Sequence, residues 1–191
     1  MKSYSLNKFF APLAMATALL CGCGTDDNDI PQNPHHDVNQ KDVNKGLIES
    51  HKEFIKQQDD EIQQYIKRRN YDMQKTASGI YYMFEEHGKG EQAKGGEIAS
   101  VNYKISLMKD GTVCYDTKDS VKQIKVAEDN VETGVHEAVQ IMHVGDKALF
   151  IIPSDLANGL VGDRSKIPPG AIVIYDIKLI AVQQAKPALS K

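Results

Sequence analysis

Cysteine is scarce in this chain of 191 residues: Cys21, Cys23 and Cys114 are all there is. No CxxC pair exists, so a zinc site built on paired thiolates is excluded. With two cysteines close to the N-terminus, Cys114 has no partner for an internal disulfide. Basic residues are not in excess either, 23 against 26 acidic ones, and a nucleic-acid partner would call for a basic face. The longest apolar run near the start, Phe9 to Leu20, falls short of the ~20 residues a membrane-spanning helix needs. Hydrolytic and phosphoryl-transfer signatures are missing too. Ser154-Asp155 lies near His136 and His143 in sequence, but without a Gly-x-Ser-x-Gly elbow. Gly88-Lys89-Gly90 is a turn, not a Walker loop. Glu85-Glu86 and Glu128-Asp129 read as solvated edges, and Cys114 as a small core residue in an apolar strand.

What is present begins with a targeting signal. Lys2 and Lys8 precede the apolar run, as in a signal peptide. Its end, Leu20-Cys21-Gly22-Cys23, resembles a bacterial lipobox, which places a signal peptide over 1–22 and lipidation on Cys23. Cys21 fits less well, because Leu20 is bulky for the position before cleavage. Acyl chains on Cys23 would anchor the protein in a membrane, each buried CH₂ contributing ~0.8 kcal/mol. The expected location is the cell envelope, at the outer membrane or cell surface. Residues 23–40 are polar, hold Pro31 and Pro34 and read as a flexible tether. His35-His36-Asp37 lacks the fixed geometry a metal site requires.

Residues 41–70 form an amphipathic helix. Leu47, Ile48, Phe54, Ile55, Ile62, Tyr65 and Ile66 recur at three- and four-residue steps. Such a stripe must be buried, by docking on the same chain or by pairing with a second copy in a homodimer. From Tyr71 the periodicity becomes that of strands. Ile80–Glu86 is apolar and aromatic. Ala99–Met108 alternates strictly, with Val101, Tyr103, Ile105 and Leu107 on one side. Thr112–Thr117 and Val121–Ala127 are shorter strand candidates. Val131, Val135, Ala138, Val139 and Met142 share a helical face over 131–143. Ala148–Ile152 and Ala171–Val182 are strands flanking a long loop, Pro153 to Gly170. Loops above ~12–15 residues without structure of their own are uncommon unless functional, so this one is read as a wall of a binding site. Residues 71–191 are thus an α+β domain, a mostly antiparallel sheet with one short helix across it.

Several of these residues resemble the FKBP-type peptidyl-prolyl cis-trans isomerases. The resemblance rests on Gly145, Ile152-Pro153, Ala157-x-Gly159, Gly162, Ile167-Pro168-Pro169 and the last strand, and covers roughly Gly95 to Val182. It implies an FKBP-like antiparallel sheet wrapped on one short helix, with the N-terminal helix as an extension. It also implies a catalyst of Xaa-Pro isomerisation that uses no cofactor and no metal, acting on proline-containing exported polypeptides. On this pattern Tyr103, Tyr115 and Tyr175 are aromatic walls, and Asp116 is a polar edge near the reacting amide, with Cys114 one extra residue. Ile124, Val126, Val131 and Ile167 line the substrate pocket. Glu132 offers a backbone N–H to a ligand carbonyl. Val135 stands where active members have a floor tryptophan, and Asn158 where they have a carbonyl-binding tyrosine. Those two departures suit an alternative: a binding module or chaperone with weak or no catalysis. In lipoproteins of Bacteroidetes-like bacteria an acidic stretch after the lipidated cysteine, here Asp26, Asp27 and Asp29, resembles a surface-export signal; a solvated linker has the same composition.

Overall fold

The computed structural model describes residues 40–118 and 120–185. The expected signal peptide, Cys23 and nearly all of the tether lie outside them. Within them, helix α1 (Gln40–Arg69) leads into β1 (Gln74–Lys75), β2 (Tyr81–Glu86), β3 (Glu97–Leu107), β4 (Val113–Asp116) and β5 (Lys122–Lys125). Helix α2 (Thr133–Gln140), β6 (Lys147–Ile152) and β7 (Val173–Gln184) follow. Two short 3₁₀ turns, Ser154–Leu156 and Gly159–Val161, give the long loop local order.

The strands make one antiparallel sheet in the order β1-β2-β6-β7-β3-β4, with β5 also paired to β3. Its spine is the long β3–β7 ladder, from Glu97 opposite Gln184 to Leu107 opposite Val173. Because side chains alternate along a strand, the sheet has two apolar faces. Ala148, Phe150 and Ile152 of β6 point inward with Val101, Ile105, Tyr175 and Ile177, and α2 packs on them through Val135, Ala138 and Val139. Gly134 permits that approach: a Cβ there would lie 2.6 Å from the Ile152 Cγ2 and 2.8 Å from the Leu156 carbonyl oxygen.

The alternate residues of these strands face the other way. Tyr81, Ile151 and Ile174 meet Ile62 of α1, with Tyr65 and Ile66 beside it. The second half of α1 therefore docks on the outer face of its own sheet. Asp59 reinforces the dock by accepting hydrogen bonds from Lys75 Nζ at 2.5 Å and the Tyr81 hydroxyl at 2.9 Å. Gln58 is 5% exposed: its Nε2 donates to the Gly170 carbonyl at 2.8 Å, and its Oε1 accepts the Ser154 N–H at 2.9 Å. One helix side chain thus holds both ends of the loop between β6 and β7.

The two-residue β1 escapes a periodicity reading because it is too short to have a period. The helix expected over 131–143 is shorter, since Val131 lies in a bend, Glu132 is extended backbone leading into it and Ile141 already closes it.

Candidate functional site

A cavity of about 380 Å³ opens between the inner face of the sheet, the start of α2 and the long loop. Its floor is aliphatic: Val101, Val135, Val139 and Ile177. Tyr103 and Ile105 come from β3, Tyr115 from β4, Ile124 from β5 and Tyr175 from β7. Val131 and Glu132 enter from the segment before α2, while Asn158, Asp163 and Ile167 come from the loop. Alternation explains the strand contributions, since Val101, Tyr103 and Ile105 are two apart and Tyr175 sits opposite Ile105 in the ladder. The Tyr103 and Tyr175 rings lie 6.3 Å apart, tilted by 51°.

Two sequence-derived site residues lie elsewhere. Asp116 pairs with Lys104 while its neighbour Tyr115 pairs with Ile105, and Asp116 lines not this cavity but a neighbouring cleft that shares Tyr103, Tyr115 and Lys122 with it. There the Asp116 carboxylate accepts the Lys118 N–H at 2.7 Å, closing a turn. Val126 is fully buried. Its N–H donates to the Glu97 carbonyl at 2.8 Å, one step beyond the end of β5, and its side chain packs in the core. Cys114, the extra residue, is taken up as a bulge between Tyr115 opposite Ile105 and Val113 opposite Ser106.

Other lining residues were not foreseen as such, among them Lys122, Gln123, Val139, Asp163 and Ile177. Asp163 organises the loop. Its carboxylate accepts the Tyr115 hydroxyl and the N–H groups of Ser165 and Ile167, the latter two at 2.8 Å each. These bonds hold the carboxyl below the usual carboxylate range, although desolvation pushes the other way. Gly162, at φ 66°, makes the preceding turn; a Cβ there would lie 2.2 Å from the Ile167 carbonyl oxygen. An aspartate beside a glycine in a Ser-containing loop is a turn signal in sequence, but nothing local shows that it reaches a strand tyrosine 48 residues away.

Glu132 brings charge to the cavity. Its Oε1 accepts the Asn158 amide Nδ2 at 2.8 Å. Burial first, and then the Glu132 carboxylate, keep the Tyr175 hydroxyl protonated far above its ordinary range, and the same two causes raise Tyr103. As the residue before the first turn of α2, Glu132 has its backbone N–H without an acceptor among the described residues. The cavity thus combines an aliphatic floor, three tyrosine rings, one available backbone donor and two carboxylates. It can hold a small apolar ring with polar backbone on either side, and has no aligned nucleophile and base.

The comparisons agree with this geometry. Residues 89–180 match the sequence model of the FKBP-type peptidyl-prolyl cis-trans isomerases. The probable FKBP-type isomerase FkpA of Neisseria meningitidis is 31% identical over 146 residues, 75% of this chain and 53% of that protein. FkpA of Aeromonas hydrophila is 37% identical over 113 residues, 59% of this chain and 41% of that protein. The chain spans about half the length of these curated relatives. Among solved structures, a peptidyl-prolyl cis-trans isomerase of Pseudomonas syringae superposes with a TM-score of 0.58 at 25% identity, covering 70% of this chain and 96% of that one. FkpA of Escherichia coli shares the fold, with a TM-score of 0.57 at 24% identity, covering 76% of this chain and 71% of that one. With the sheet wrapped on α2 and the tyrosine-walled cavity between them, the domain over residues 89–180 belongs to the FKBP-type peptidyl-prolyl cis-trans isomerase family.

Proposed function

We propose that this protein is a peptidyl-prolyl cis-trans isomerase that assists the folding of exported polypeptides from a lipid anchor at the cell envelope. The carrying observation is the cavity. An Xaa-Pro bond rotates over a barrier of ~18–20 kcal/mol that amide resonance imposes. A catalyst lowers it by binding the twisted amide better than the planar one, each tenfold in rate requiring about 1.4 kcal/mol of such preference. The aliphatic floor with its tyrosine walls suits the pyrrolidine ring and disfavours a fully solvated planar amide. The free Glu132 N–H suits a flanking carbonyl. No covalent step is needed.

The envelope setting rests on sequence: the signal peptide over 1–22, Cys23 as the lipidated residue and the acidic residues after it as in lipoproteins of Bacteroidetes-like bacteria. The test is NMR exchange on an Xaa-Pro tetrapeptide with the purified chain. Acceleration that is lost in Tyr103→Ala supports an enzyme with its site in this cavity; no acceleration by folded protein removes the reading. Labelled fatty acid incorporated into wild type but not Cys23→Ala tests the anchor.

Two observations favour a second reading, a chaperone-like binding module. Valine, not an aromatic ring, forms the floor at position 135, and one Asn158 N–H is already taken by Glu132. This reading expects suppression of client aggregation with no Xaa-Pro rate effect.

Pairing through α1 is a further part of the proposal. At 100° per residue, Val43 and Leu47 fall on the same side as the docked Phe54, Gln58, Ile62 and Tyr65. Yet Leu47 is 64% and Ile48 56% exposed. The docking stripe thus continues beyond the sheet it covers, and a second copy would bury it. Leu47→Lys with Ile48→Lys should lower the sedimenting mass; equal monomer mass in both proteins excludes the pairing.

A further inference from the structure

We infer that the cavity selects prolines flanked by lysine or arginine, and that Glu132 is the residue that sets this preference. The inference deepens the isomerase reading and rests on it. Glu132, Asn158 and Asp163 all line the cavity, and of their two carboxylates that of Asp163 is already engaged by Tyr115, Ser165 and Ile167. A carboxylate only accepts, so Asn158 must present its NH₂ to Glu132, as the 2.8 Å contact shows. Its Oδ1 then points away, buried and without a partner among the described residues. The Glu132 carboxylate, with Asn158 bonded to its Oε1, keeps further acceptor sites that a cationic donor in the cavity can take.

Opposing charge is sparse. Among the residues lining the cavity Lys122 is the one cation, and its side chain is exposed at the end of β5. Lys166 is not a lining residue; it sits over the Tyr115 ring, 5.0 Å from its centroid. With a pyrrolidine ring on the aliphatic floor, the neighbouring side chain falls within the reach of Glu132. Lysine brings three donors and arginine five. Glutamate or aspartate in that place meets like charge and is rejected.

The test uses the full chain and matched tetrapeptides with lysine, leucine or glutamate before, and separately after, the proline. NMR exchange should give kcat/KM at least about tenfold higher for lysine than for glutamate in one of the two positions, at low salt. The ratio should narrow with added salt and collapse severalfold in Glu132→Gln. Equal rates for lysine and glutamate in both positions, or a preference for glutamate, overturns the inference on wild-type protein alone, whether or not the variant folds. An unchanged ratio in folded Glu132→Gln overturns the role of Glu132. If no peptide is accelerated, the isomerase reading fails by itself. Titrations of the same peptides, followed on the resonances of Tyr103 and Ile177, then decide the preference: tighter binding of the lysine peptide upholds it, and equal or weaker binding overturns it.

Discussion

The Asn158 amide donates to the Glu132 carboxylate over 2.8 Å, joining the long loop to the start of α2 across the cavity. Replacing Asn158 by aspartate exchanges that bond for a pair of like charges at the same distance. One of the two carboxyls must then have a raised pKa. A carboxyl raised in the folded state contributes its full share of stability only at low pH, and that share is lost as pH rises through the raised value. Asn158→Asp should therefore melt several degrees below wild type at pH 7 and approach it near pH 4, in thermal unfolding followed by circular dichroism.

Asp163 has the opposite sign. Held low by Tyr115 and by backbone N–H groups against desolvation, it stabilises the loop fully above the unfolded aspartate value of about 3.9, and that contribution fades as pH falls through its folded pKa. The Ser165 and Ile167 amide resonances should shift cooperatively below about pH 4. In Asp163→Asn this acid step should be gone.

Tyr103 and Tyr175 face the same cavity with different structural duties. Tyr175 is 2% exposed, and its replacement by alanine should cost about 3–5 kcal/mol of stability in urea unfolding. Half-buried Tyr103 should cost only about 1 kcal/mol as alanine, while isomerase rate falls by about tenfold or more, equivalent to losing ~1.4 kcal/mol of transition-state binding. Raised tyrosine pKa values act at the alkaline end. The stability they carry is complete below about pH 10 and is lost as pH rises further, so Tyr175 should ionise only with unfolding, as ultraviolet difference spectra would report.

Gln58→Leu strips the Ser154 N–H of its acceptor at a residue only 1% exposed. Leaving that group unpaired should cost about 1–3 kcal/mol. Hydrogen exchange should quicken first at Ser154, whose N–H loses its acceptor in α1, and less at Gly170, whose carbonyl loses the Gln58 donor while its N–H keeps the Gly159 carbonyl.

Much of the domain was legible because it obeys period two or 3.6. Val101, Tyr103 and Ile105 announce a strand with one cavity-facing side, and Val135, Ala138 and Val139 announce the face of α2. The loop from Pro153 to Gly170 was legible from its length as a cavity wall, and Asn158, Asp163 and Ile167 line the cavity. What the pattern does not separate is Tyr115 from Asp116, of which only Tyr115 lines the cavity. Adjacent residues on a regular strand face opposite ways, and only the pairing partners, Ile105 and Lys104, settle which one enters the cavity. Val126 alternates with Ile124, but β5 stops at Lys125 and the next residue turns down into the core. Asp163, Lys122 and Gln123 could not be found by pattern, because loop and strand-end residues reach the cavity through tertiary hydrogen bonds and chain direction, not periodicity. Gln58 is a polar residue in an apolar stripe, and its two partners lie 96 and 112 residues downstream.

That one side chain has a thermodynamic meaning. By holding Ser154 and Gly170 together, Gln58 makes the order of the site loop and the seating of α1 two readouts of one equilibrium. Coupling of this kind is reciprocal. A polypeptide that stiffens the loop on entering the cavity must tighten the helix on the sheet by the same factor, and whatever grips the exposed half of the helix must be felt, with equal strength, by the polypeptide.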